Sequence, residues 1–166
     1  MQVTSEPGAV ALLDRLVAEA VPGRRGIDAW MAFLHAHAAL MRRLATDLAQ
    51  ETGLTLGDFD VLAQLTMAGG VLRMTELATR AFSSRSNMTR RIDRLVEEGL
   101  VCRQVDDADA RGVVIALTDA GVARLTETAP VHMRGVAELF VAKLDDEELA
   151  VLEQALCKVS PDTSFG

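Results

Sequence analysis

The sequence predicts a mainly α fold with one small β-hairpin, and three observations carry that expectation. Apolar residues recur at helical spacing through most of the chain. Two short runs rich in β-branched residues, VCRQV (101–105) and VVIAL (113–117), flank the turn-forming stretch DDADARG. Directly before them lie a short helix (Thr75 to Arg80), a tight corner at Ala81-Phe82 and a second helix, SRSNMTRRIDRLVEE (84–98). That order is a helix-turn-helix with a wing, flanked by further helices at both ends.

Taken from the start, residues 1–26 form an extra helix and a linker. Val10, Leu13, Leu16 and Val17 make one stripe over 9–21, and Pro22-Gly23-Arg24-Arg25-Gly26 breaks it. Residues 27–53 hold a long helix whose stripe runs through Trp30, Phe33, Leu34, His37, Met41, Leu44, Ala45 and Leu48 and ends at Gly53. Thr55 and Asp58, three apart, resemble a capping box with Asp in place of the usual Glu. They open a helix carrying Phe59, Val61, Leu62 and Leu65, which Gly69-Gly70 closes. Val71 to Arg73 is a candidate third strand, and the helix-turn-helix and wing complete the segment 54–117.

In residues 118–166, Thr118 caps a helix expected to reach about Lys143, with Pro130 predicted to kink it. Asp145 and Glu148 form a capping box for a last helix with Leu149, Leu152, Leu156 and Val159 on one face. A small winged helix cannot bury the stripes of the first helices and the last two by itself. They are expected to pack against a second copy of the chain.

The helix 84–98 has two chemically different faces. At about 100° per residue, Met88, Ile92, Leu95 and Val96 share one stripe. Ser86, Arg90, Arg94 and Glu97 lie opposite, with Asn87 and Thr89 on the flanks. The chain is acidic, with 17 Lys and Arg against 24 Asp and Glu and a net charge of -7, yet Arg80 to Arg94 contains five arginines and one acid, Asp93. Local positive charge beside small polar groups is the footprint of a recognition helix in a major groove. From Leu72 to Thr118 there are eight arginines and seven acids, so the acidity sits mainly outside this region. An acidic body restrains non-specific affinity for a polyanion.

The run LATRAFSSRSNMTRRIDRLVEEGLVCR, then DADARG, then VVIALTDAG, resembles the MarR family of winged-helix transcription factors over about residues 28–158. Its most specific piece is Asp109-x-Arg111-Gly112 between two strands, with Leu117-Thr118 opening the next helix. The resemblance implies that Arg111, held by Asp109, enters the minor groove, which suits an arginine at a hairpin tip. It also implies a homodimer on double-stranded DNA, with repression the commoner outcome; the cytoplasm is expected as the place of action because no membrane span or signal peptide is indicated. The expected DNA contacts are Ser84, Arg85, Ser86, Asn87, Thr89, Arg90 and Arg94 with Asp109 and Arg111. Base edges or nearby phosphates go to Ser86, Asn87, Thr89 and Arg90, and the backbone to Arg85 and Arg94. By angle Arg85 points toward the core side, so it reaches phosphate only from the helix start.

Members of the family answer small, often aromatic or phenolic, ligands. Trp30, Phe33, His37, Asp60 and Met133 are the residues that suit such an effector, with Trp30 stacking on a ring and Asp60 accepting a donor. The first helix resembles the extra helix of the urate-responsive branch, which makes urate one candidate. Metal- or thiol-responsive regulation on the same fold, and a protein-interaction module on a winged-helix scaffold, are the alternatives. His35 and His37 lie about 200° apart on one helix and cannot share a metal within it. Cys102 and Cys157 form no disulfide framework and suit packing more than redox sensing. No cofactor is implied, no signal peptide or membrane span is indicated, and the absence of a phosphate loop, GxSxG or HExxH argues against an enzyme.

Overall fold

The computed structural model describes residues 7–20, 24–81, 85–106 and 109–160. The elements run α1 (Pro7–Ala20), α2 (Arg24–Thr52), α3 (Leu56–Met67), β1 (Val71–Arg73), α4 (Met74–Arg80), α5 (Arg85–Glu97), β2 (Val101–Asp106), β3 (Asp109–Leu117), α6 (Asp119–Leu139) and α7 (Asp146–Val159), with a 3-10 turn at Val141–Lys143. Contacts divide the chain into two compact units, residues 1–42 and 43–166.

In the first unit α1 leaves Leu12 and Leu16 exposed, and the leading part of α2 leaves Trp30, Met31, Phe33, Leu34 and Met41 exposed. Helix α2 begins earlier than periodicity suggested. Arg24, Arg25 and Gly26, expected in the break, are its first turn, because neither arginine nor a single glycine stops a helix whose proline lies upstream.

The second unit is built around the apolar stripes of α3, α5 and the sheet. Val61, Leu62 and Leu65 of α3, Met88, Ile92 and Leu95 of α5, Leu77 of α4 and Ile115 of β3 are all fully buried together with Leu48. Burial of each such side chain contributes roughly 1.5 to 3 kcal/mol. The sheet has the order β1-β3-β2 and is antiparallel, with Leu72 opposite Ile115 and Arg103 opposite Ile115 on the other edge. The third strand expected at Val71 to Arg73 is therefore present.

The wing departs from the expected boundaries. Strand β3 begins at Asp109, so Asp109 to Gly112 are strand and not connector. Asp106 pairs with Asp109 across an irregularity after Val105. Among the described residues only Asp109 of these four has a register partner, so Ala110 to Gly112 make up the irregularity in β3. Arg111 is thus two residues into the strand and not at the hairpin tip.

The element ends follow cap chemistry. Gly53 and Gly99 close α2 and α5 in the left-handed region, with φ of 73° in each. Asp145 and Glu148 form both halves of the expected capping box. Thr55 caps α3 by accepting from the Asp58 N–H, but the Asp58 carboxylate accepts from the Thr55 hydroxyl and from Arg94 instead of closing a reciprocal box. Helix α6 ends at Leu139 and runs through Pro130, with Thr126 and Thr128 donating to carbonyls one turn back.

Thr118 joins the wing to α6. Its hydroxyl accepts from the Gly121 N–H and donates to the Gly99 and Leu100 carbonyls, bringing the end of α5, the wing and α6 to one point. Gly121 is fully packed there: a Cβ would overlap the Leu100 carbonyl and approach Leu117 Cδ1 at 2.7 Å. Gly121→Ala is expected to destabilise the fold by about 1 to 3 kcal/mol, read as a lower urea midpoint, and an unchanged midpoint contradicts that packing.

Candidate nucleic-acid interface

Helices α4 and α5 form the helix-turn-helix. Burial of Met88, Ile92 and Leu95 at zero exposure sets which side of α5 faces the core, so the opposite side faces outward by helical geometry alone. Asn87, Thr89 and Arg90 are exposed there. Arg85 and Ser86 form the first turn of α5. Ser84 lies outside the described residues, and only the backbone of Asp109 and Arg111, in β3, is described.

The arginines of α5 differ in what they meet. Among the described residues Arg90 has no ion-pair partner. Arg94 donates from Nη2 to both carboxylate oxygens of Asp58, at 2.5 and 2.6 Å. Arg91 brings Nε to 3.9 Å from Asp58 Oδ1, and its guanidinium occupies the space left by the missing side chain of Gly57. The neighbouring Asp93 accepts from Arg103 of β2 at 2.5 Å, which ties the wing to α5. Periodicity assigned Arg94 to the outward face; it gave no sign that Asp58, 36 residues earlier, would meet it.

The effector residues fall into two groups. Trp30, Phe33 and His37 stand in succession on α2, with ring centroids 6.2 Å apart for both neighbouring pairs. Asp60 of α3 is half-buried, and its Oδ1 accepts from Gln64 Nε2 at 3.3 Å. Burial raises the Asp60 pKa, while the Gln64 hydrogen bond and the charges of Arg91 and His132 oppose the rise. His132 of α6 packs its ring 4.6 Å from that of Phe59. Burial lowers its pKa, and Asp60 works against that. Its Nδ1, like the Nε of Arg91, is buried without a hydrogen-bond partner. Met133, next to His132, is exposed. Periodicity marks Asp60 but not Arg91 or His132 as its neighbours, because the three come from separate helices.

Cys102 is half-buried, with Gln104 Nε2 at 3.5 Å from its sulfur, and Cys157 is exposed. Among the described residues no three His, Cys, Asp or Glu side chains are grouped to hold a metal ion, and no helix is long and apolar enough to cross a membrane.

Comparison with known proteins places this arrangement. The MarR family model matches residues 52–112, from the end of α2 into the wing. AbsC, a MarR family transcriptional regulator from Streptomyces coelicolor, is similar with a TM-score of 0.77 at 30% identity, over 84% of this chain and 95% of its own. Sco3205, a MarR family regulator from the same organism in complex with DNA, has a TM-score of 0.75 at 28% identity, over 83% of this chain and 90% of its own. The HTH-type transcriptional repressor YetL of Bacillus subtilis is 33% identical over 97 residues, 58% of either chain. These relatives are transcriptional regulators and not enzymes. With an arginine-bearing helix presented over a buried apolar stripe, a wing tied to it, and this likeness over most of its length, the chain belongs to the MarR family of DNA-binding, winged helix-turn-helix transcriptional regulators.

Proposed function

We propose that the protein is a repressor that binds a pseudo-palindromic operator as a homodimer and is released by a small aromatic effector. The observation that carries the DNA reading is Arg90, exposed on the polar side of α5 between Asn87 and the arginines that face Asp58. An arginine so presented matches the donor geometry of a guanine edge. Ser84, Arg85, Ser86, Asn87 and Thr89 supply further base and phosphate contacts, and Arg111 with Asp109 supplies the minor-groove contact. Sco3205 in its DNA complex and the repressor YetL support the same reading.

The homodimer is supported by apolar surface that one copy leaves uncovered. Val151 and Val159 of α7 are 66% and 79% exposed, and Trp30 and Phe33 of α2 are 52% and 43% exposed. A two-fold dimer presents two recognition helices to half-sites about one DNA turn, ~34 to 36 Å, apart.

The effector reading names Trp30, Phe33 and His37, a stacking surface on α2, and separately Asp60 and Met133, with urate or a phenolic compound as the ligand class. Asp60 couples such a ligand to DNA because its neighbour Arg91 belongs to the recognition helix. An effector that perturbs Asp60 changes the field at Arg91. Release follows if it binds the DNA-incompetent geometry more tightly. Action in the cytoplasm follows from the DNA partner.

The test is binding to a fragment carrying the region upstream of its own gene. Wild type is expected to bind saturably, and Arg90→Ala to weaken binding there by about 1 to 3 kcal/mol while affecting an unrelated fragment less. Equal weakening on both makes Arg90 a phosphate contact, and no preference in the wild type removes the operator reading.

The Asp60–His132 cluster also sets a pH dependence. The folded His132 pKa lies below the ordinary 6.5, so the unfolded chain takes the proton first. The stability that the neutral ring contributes is whole above about 6.5 and is lost as pH falls through the folded value. Asp60, with a raised pKa, acts oppositely and nearer its ordinary 3.8. The drop in urea midpoint between about pH 7.5 and 5.5 is expected to be smaller in His132→Gln than in wild type; an equal drop contradicts this.

A further inference from the structure

Arg94 has the outward angular position of a phosphate contact, yet its Nη2 is held by both oxygens of Asp58. The Asp58 side chain is only 4% exposed, sits in the first turn of α3, and is held in turn by the Thr55 hydroxyl at 2.6 Å from Oδ2. Arg91 and Arg94, three apart on α5 and so on adjacent turns, converge on this one buried carboxylate. A buried charge that loses its partner is strongly destabilised, so the pair holds the two helices in one arrangement.

That arrangement matters because the apolar stripe cannot set it alone. Hydrophobic burial is non-directional, whereas a charge-assisted hydrogen bond has a narrow range of distance and angle. A roll of ~10° moves a side-chain tip ~6 Å from the helix axis by ~1 Å, enough to take a donor out of hydrogen-bond range. Asp93 with Arg103 ties α5 to β2, and Arg94 with Asp58 ties it to α3.

We propose that Asp58 is a positioning residue for DNA reading: through Arg94 it fixes the roll of the recognition helix, and Arg94 acts on specificity through Asp58 and not by contacting phosphate. This rests on the DNA reading above.

The experiment measures binding of wild type, Arg94→Gln, Arg94→Lys, Asp58→Asn and the Asp58→Asn, Arg94→Gln double variant. The probes are the upstream fragment and an unrelated fragment of equal length, each titrated across salt. Each single variant is expected to lower the ratio of the two affinities by about 10- to 100-fold. The double variant falls no further than the worse single one, and the slope of log K against log salt for Arg94→Gln stays at the wild-type value. Arg94→Lys carries the test if the uncharged variants do not fold. Lysine keeps the charge a phosphate needs but is shorter and lacks the planar guanidinium that places Nη2 on Asp58, so the ratio falls while the slope stays. A slope reduced by about 0.9 in Arg94→Gln, a wild-type ratio in Arg94→Lys, or an Asp58→Asn variant that discriminates as well as wild type overturns the proposal. Amide hydrogen exchange without DNA separates this from failure of the DNA reading. Amides of α5 are expected to exchange faster in Asp58→Asn and in Arg94→Gln, with those of α6 unchanged. Unchanged α5 exchange overturns the proposal even if wild type shows no preference for the upstream fragment.

Discussion

Everything at the candidate interface depends on the burial of one stripe of α5. Met88, Ile92 and Leu95 have no exposed surface, and a helix that commits one side to the core has no choice about what the other side presents. Truncating Ile92 to alanine would cost about 2 to 5 kcal/mol, a large part of the stability of a small domain. The same stripe that supports the fold therefore orients Asn87, Thr89 and Arg90. Polar ties refine what burial begins: Arg94 on Asp58, Asp93 on Arg103, and Thr118 bridging the end of α5 to α6.

This division of labour decides how much was legible in the sequence. Periodicity gave the α5 core face at Met88, Ile92 and Leu95, with Val96 half-buried at its edge, because 3.6-residue spacing needs no knowledge of partners. Caps were legible for the same local reason, as at Thr55, Thr118 and Asp145. Boundaries differed at two places: β3 begins at Asp109, with Ala110 to Gly112 in an irregularity of the wing, and α2 takes in Arg24 to Gly26. Long-range polar pairing was not legible. Asp58 and Arg94 are 36 residues apart, and nothing in either local pattern names the other. Asp60, Arg91 and His132 come together from α3, α5 and α6 in the same way.

The two carboxylates of α3 have different tasks through two residues of spacing. Asp58 is nearly wholly buried and compensated by Arg94. Asp60 is half-buried, and desolvation outweighs the help it receives from Gln64, Arg91 and His132. The first ties α5 to α3; near the second, the buried Arg91 Nε and His132 Nδ1 have no hydrogen-bond partner. The proposed function uses both, the tie to make reading specific and the less satisfied cluster to bias it.

Hydroxyl-radical footprinting of the upstream fragment tests the central claim most directly, because it asks whether this surface meets DNA twice and in register. Two protected patches on each strand, centred about 10 base pairs apart, are predicted for a two-fold dimer with paired recognition helices and wings. A single patch, or protection spread evenly along the fragment, would contradict the account.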